Sequence, residues 1–240
     1  MKYALVNGQR HEAEPSLSGE CQIYGHPMIA KCGEIKVWHW AHIGTRTCDP
    51  WWENETEWHR AWKGHFPVDW QEVIHHSESG EKHIADVRTD QDWVFEFQHS
   101  FLKPEERRSR DAFYQKLIWI VDGTRRKKDL SQFSNAWKEG IAVNGKPFLR
   151  RIRADECAIL REWANTTAPV FIDFGLPNLV WLLPKDSEGI RQYVALFSRT
   201  DLIAMHRGGA AEAVDDFAAF LKEFAGIIAN YNSQLGARRP

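Results

Sequence analysis

The stretch His83-Ile-Ala-Asp86-Val-Arg-Thr-Asp90-Gln-Asp-Trp-Val-Phe-Glu96-Phe-Gln98 decides the fold of this chain. Two runs of apolar, β-branched and aromatic residues flank the polar segment 89–92, which is the pattern of a hairpin. A turn centred between Asp90 and Gln91 sets Asp86 beside Phe95 and diagonal to Glu96. Side chains alternate along a strand, so Glu96 and Gln98 share one face while Trp93, Phe95 and Phe97 bury the other. Two carboxylates this close carry a large desolvation cost unless a cation lies between them. Mg²⁺ or Mn²⁺ takes hard oxygen ligands, so Asp86, Glu96 and the carbonyl of Phe97 are the expected set. Such an ion acidifies water and stabilises charge on a scissile phosphate. Gln98 is expected to orient the attacking water or a phosphate oxygen, although a neutral amide cannot supply a lysine's charge. On an ordinary exposed hairpin the same acids would only be solvated.

Outward from the hairpin, the chain reads as helix, three strands, helix, strand. Residues 51–63 carry Glu55, His59 and Trp62 at helical spacing and end at Gly64. Strands are expected at 72–76, 82–89 and 93–98, with Ser79-Gly80 as a turn. Lys103-Pro-Glu-Glu106 opens a helix running to about Lys116. The apolar run 117–121, closed by Asp122-Gly123, fits a buried strand. Beyond residue 150, a helix near 154–163, strands near 170–174, 179–183 and 194–198, and an amphipathic helix over 211–230 are expected. Three parts follow: a small Cys/His module at 1–48, a core at 49–150 and an accessory α/β module at 151–240.

Bulk properties narrow the function. With 43% hydrophobic residues, 12 Trp and 13 Phe, the chain can build a core, and disorder is excluded. A net charge of −2 means that any nucleic-acid site is a local patch. No segment approaches the ~20 apolar residues of a membrane span, and no signal peptide is visible, so a cytoplasmic protein without a membrane partner is expected. The four cysteines suit thiols or metal ligands better than a disulfide framework.

Residues 84–122, from Ile-Ala-Asp86 through Glu96-Phe-Gln-His-Ser100 and Tyr114 to Trp119-Ile-Val-Asp-Gly123, resemble the competence protein CoiA-like family of PD-(D/E)XK nucleases. Met28-Ile-Ala-Lys-Cys-Gly33 and His39-Trp-Ala-His42 resemble that family's N-terminal module, and the likeness covers about the first 125 residues. It implies an α/β fold with a restriction-endonuclease-like αβββαβ core and a metal-dependent deoxyribonuclease acting in DNA uptake, recombination, repair or defence. By the same resemblance Asp86, Glu96 and Gln98 take the catalytic positions. Glu55-Thr56 and His59 resemble an acid and a histidine of the family's first helix, one turn apart. Glu55 is expected to reach the metal through water, and His59 to touch phosphate or relay a proton. Arg110 and Tyr114, also one turn apart, match a family Arg and Tyr and are expected to grip the DNA backbone. Arg107 and Arg108 are read as a solvated face.

Cys21, Cys32, His39 and His42 suggest a structural Zn²⁺. The family's Cys-x-x-Cys is broken, since Tyr24 stands three residues after Cys21, and His26, Cys32 or Cys48 would have to substitute. Trp51, Trp52, Trp58 and Trp62 are candidates to stack on bases or to fill core. Arg125 and Arg126, in the basic run 125–128, are the best phosphate-binding patch outside the centre. A non-catalytic DNA-binding or partner-binding protein of the same fold stays the alternative, and DNA strandedness and homo-oligomer formation are left open.

Overall fold

The computed structural model describes residues 1–44, 49, 51, 55–77, 80–186, 189–207 and 216–237. It is a mixed α/β protein of two compact units, Met1–Arg88 with Val94–Tyr114, and Thr89–Trp93 with Gln115–Pro240. The division falls inside the segment expected to form the nuclease core.

In the first unit, residues 1–44 form a sheet of five short strands: β1 (Tyr3–Val6), β2 (Gln9–Glu12), β3 (Ser18–Glu20), β4 (Pro27–Lys31) and β5 (His39–His42), in the order β2-β1-β3-β4-β5. The sequence showed no long periodic segment here because strands of three to five residues complete barely two alternations. One face buries Ala4, Cys21, Met28 and Trp40, and the Trp40 indole donates to the His11 carbonyl at 2.9 Å.

Helix α1 (Glu57–Lys63) is shorter than expected. Thr56 caps it through a capping box with His59, so the helix starts after Glu55, and residues 52–54 lie outside the described set. Next come β6 (Gln71–His76), β7 (Lys82–Arg88) and β8 (Val94–Gln98), an antiparallel meander, and then α2 (Pro104–Phe113). The hairpin register departs from the expected one by one residue, with Val87 opposite Phe95 and Arg88 opposite Val94. Its turn is centred on Gln91, because the Thr89 N–H bonds the Trp93 carbonyl at 2.9 Å and Asp92 takes up a left-handed φ of 64°.

The second unit carries β9 (Leu117–Asp122), α3 (Asp129–Lys138), β10 (Ile141–Val143), β11 (Lys146–Ile152), α4 (Ala158–Trp163), β12 (Val170–Asp173), β13 (Asn178–Lys185), β14 (Gln192–Ser198), α5 (Arg199–His206) and α6 (Asp216–Ala237). Its strands run in the order β10-β11-β14-β13-β12-β9, with β12 and β9 parallel and the rest antiparallel. Helix α6 buries Phe217, Phe224 and Ile228 at helical spacing, as its amphipathic sequence requires, whereas residues 211–215 lie outside the described set. Helix α5 and strands β10 and β11 carry too little periodicity to be read beforehand, and α3, although it buries Phe133 and Ala136 on one face, is not among the expected elements. Among the described residues no helix is long and apolar enough to cross a membrane.

Trp40→Ala removes a fully buried indole and its hydrogen bond from the small N-terminal core. The expected loss is about 3–5 kcal/mol in urea unfolding followed by circular dichroism.

Candidate active site

A pocket in the first unit is lined by Asp49, Glu55, Lys63, Glu72, Asp86 and Glu96, with Trp51, His59, Phe97 and Arg110 around them. The capped start of α1, the meander and α2 converge on it. Two acids forecast from the hairpin, Asp86 and Glu96, therefore do meet, together with Glu55.

The centre of the pocket is a residue that the sequence did not single out. Lys63, in the last turn of α1, places Nζ 3.0 Å from Asp86 Oδ1, 3.0 Å from Glu72 Oε1 and 3.6 Å from Glu55 Oε1. Although burial favours a neutral amine, Asp86, Glu72 and Glu55 together raise its pKa well above the usual lysine value. The one signal in the sequence was its spacing, a helical turn beyond His59.

Glu72 was likewise read only as a strand residue. It is 3% exposed and has φ 48°, a left-handed backbone for a non-glycine residue within β6. Such a conformation costs on the order of 1–2 kcal/mol and persists where surrounding contacts impose it. Here the ladder pairs Gln71 with Val87 and Val73 with Ala85 but skips the step between Glu72 and Asp86. The carboxylate instead accepts the Lys2 N–H at 2.6 Å, the Tyr3 N–H at 3.0 Å and Lys63. Burial alone would raise its pKa, but Lys63, the Met1 amino group and these N–H groups hold it at about 2.

Asp86 Oδ2 accepts the Phe97 N–H at 3.0 Å across the hairpin. The Phe97 carbonyl faces His59 Nε2 at 3.0 Å, while the Thr56 N–H donates to His59 Nδ1 at 3.2 Å. Nε2 therefore carries the proton and donates to the carbonyl. His59 is 3% exposed, and both ring nitrogens are engaged. It orients the carbonyl of Phe97 in place of the expected phosphate contact or proton relay. Glu55 precedes the Thr56 cap, so it enters the pocket from the segment before α1 and not from the same helical face as His59.

Glu96 Oε2 accepts Arg110 Nη1 at 2.9 Å, and Arg110 Nη2 reaches the Trp51 carbonyl at 2.6 Å and Glu106 at 2.5 Å. Glu96 Oε1 is buried with no hydrogen-bond partner among the described residues. Burial, with Asp86 and Asp49 nearby, pushes Glu96 up to about 8 against the pull of Arg110. Asp49 is pinned by the Trp51 N–H at 2.9 Å, the Ile84 N–H at 2.9 Å and His83 Nδ1 at 3.0 Å.

Other expectations are corrected. Gln98 donates to the Ser100 carbonyl at 3.2 Å and does not line the pocket. Arg110 and Tyr114 are 5% and 3% exposed, so they are internal groups and not a surface grip on the backbone. Arg107 is buried as well, and Arg108 alone of that pair is solvated, beside Glu105. In the second unit Arg125 pairs with Glu162, and Arg126 pairs with Glu162 and Asp129, which leaves that pair committed to neighbouring acids. The proposed zinc ligands are not gathered: among the described residues no three His, Cys, Asp or Glu side chains form a metal-holding group. Cys21 lies in the N-terminal core, Cys32 packs against it, and His39 Nδ1 donates to the Val37 carbonyl at 2.8 Å. Cys48 and Trp52 lie outside the described residues.

Comparison with protein-family models, with curated proteins and with solved structures finds no match to this chain.

Because its folded pKa is raised, Glu96 contributes stability at acid pH that is lost as pH climbs from about 4.5 towards about 8. In EDTA, Glu96→Gln is expected to unfold at nearly the wild-type urea concentration at pH 5. At pH 9 it is expected to be more stable than wild type by on the order of 1–3 kcal/mol.

Proposed function

We propose that this chain is a Mg²⁺- or Mn²⁺-dependent deoxyribonuclease with a restriction-endonuclease-like αβββαβ core, akin to the CoiA-like nucleases. The supporting observation is the charge imbalance of the pocket. Asp49, Glu55, Glu72, Asp86 and Glu96 line it against Lys63, Arg110 and the Met1 amino group, and burial beside Asp86 and Asp49 raises the pKa of Glu96 despite Arg110. A divalent ion meets that deficit. The donor set is of hard oxygens: among the described residues Glu96 Oε1 and both Glu55 oxygens are buried without hydrogen-bond partners, with Arg60 and Lys63 3.4 and 3.6 Å from Glu55 Oε1. Asp86 and Glu96 would hold the ion together with water, since among the described residues Glu55 does not complete a three-ligand group with them and the Phe97 carbonyl already accepts from His59 Nε2.

When bound, Mg²⁺ or Mn²⁺ supplies a Lewis acid that stabilises the scissile phosphate and acidifies water. The chain's own groups then act around it. Lys63 places an ammonium beside Asp86, which provides the fixed positive charge that Gln98 lacks. The Phe97 N–H and His59 keep the β8 backbone in one position relative to Asp86. Arg110 holds Glu96 facing the pocket. The two acid–base pairings, Lys63 with Asp86 and Arg110 with Glu96, also suit a non-catalytic DNA-binding protein of the same fold, and turnover separates the two readings.

Incubation with linear and circular DNA and Mn²⁺ is expected to yield fragments, and EDTA to stop the reaction. Asp86→Ala and Glu96→Ala should abolish it, and Lys63→Met should lower the rate by about 10²–10³-fold. Gln98→Ala is expected to stay within a few-fold of wild type. Full activity of Asp86→Ala would end the proposal.

A further inference from the structure

We infer that the loop joining β4 to β5, residues 32–38, binds an unpaired DNA strand on its way to the Asp86–Glu96 pocket. The inference deepens the nuclease reading by naming its substrate class, and it rests on that reading.

The tryptophans point there. Stacking a base needs an aromatic face open to solvent. Trp62 is buried and lies against Phe97 with ring centroids 5.8 Å apart. Trp51 has His83 stacked on it at 3.2 Å and the Arg110 guanidinium 5.4 Å from its centroid. Trp58 meets His59, Trp62 and Phe97 through edge contacts. Among the described tryptophans Trp38 is the most open to solvent, at 44% exposed. Three residues before it, Ile35 is 97% exposed.

Single exposed apolar side chains are ordinary. What distinguishes this pair is company and position. Exposed Lys36 lies between the two and exposed Lys31 ends β4, with Glu34 the opposing charge, so two ammonium groups stand near an aromatic face in the chain and can meet a phosphate backbone. The loop is also tied to the pocket. Arg60 of α1 donates through Nη2 to the Trp38 carbonyl, and its Nε lies 3.4 Å from Glu55 Oε1, which in turn faces Lys63. The backbone of Trp38 is therefore joined through one side chain, Arg60, to Glu55, an acid of the pocket. A paired duplex presents only base edges, so an aromatic face at this place selects unpaired bases, and Ile35 can wedge against the adjoining base.

The test is fluorescence anisotropy with the whole chain in EDTA, where hydrolysis is suppressed, using a labelled single-stranded deoxyoligonucleotide and the blunt duplex of the same sequence. The wild type is expected to prefer the single strand. Trp38→Ala should weaken that binding about tenfold or more and Ile35→Ser less, with Trp38→Phe close to wild type. Unchanged single-strand affinity in both Trp38→Ala and Ile35→Ser, or duplex binding as tight as single-strand binding, would overturn the inference. Cleavage assays on the same proteins separate the two proposals. A wild type that binds the strand through Trp38 but never cuts DNA with Mn²⁺ sinks the nuclease reading and leaves only the binding of an unpaired strand at the loop. Cutting that is indifferent to Trp38, with affinity equally indifferent, does the reverse.

Discussion

An ammonium group shared by carboxylates from several elements is the constraint on which the first unit depends. Lys63 leaves the end of α1 and meets Glu72 of β6, Asp86 of β7 and Glu55 from the segment ahead of the helix. Each of these charges alone would be expensive to bury, and removing one partner of a buried pair generally costs about 3–5 kcal/mol. Their mutual attraction therefore dictates where the helix sits on the meander, and the pocket is a consequence of that placement.

Several oddities of the structure follow from the same requirement. Glu72 adopts a left-handed backbone and forgoes its ladder step, and in return its carboxylate gains two backbone N–H groups and Lys63. His59 spends one nitrogen on the helix cap and the other on the Phe97 carbonyl, which fastens α1 to β8. Arg110 reaches from α2 to Glu96 and to the Trp51 carbonyl. The groups are thus held before any substrate arrives, which is what electrostatic preorganisation demands. The pocket remains rich in acids all the same, and burial, with Asp86 and Asp49 nearby, raises the pKa of Glu96 to about 8.

Much of this was legible in the residues. Alternation across 82–98 located the hairpin, and it foretold that Asp86 and Glu96 would meet. The register was off by one because a local choice at Asp92, a positive φ, decides where the turn is centred, and a polar run of similar residues does not announce it. Gln98 was misplaced for a related reason: alternation tells which face a side chain leaves from, not whether Ser100 will capture its amide. Arg125 and Arg126 looked like a free basic patch because Glu162, the partner they share, is more than thirty residues away, although Asp129, which also pairs with Arg126, stands only three residues on.

By itself, then, the sequence determined the elements whose periodicity is local: the meander, the Pro104 helix, the apolar strand at 117–122, the amphipathic helix near the end, and the pair of acids at the hairpin. Only the tertiary structure decided that Lys63 and Glu72 belong with those acids, that His59 serves the backbone, and that Trp38 is the most open to solvent among the described tryptophans. The physical reason is that hydrogen-bond ladders and helical faces are set by neighbours in the chain, whereas the pairing of buried charges and the burial of rings depend on residues brought together from far apart.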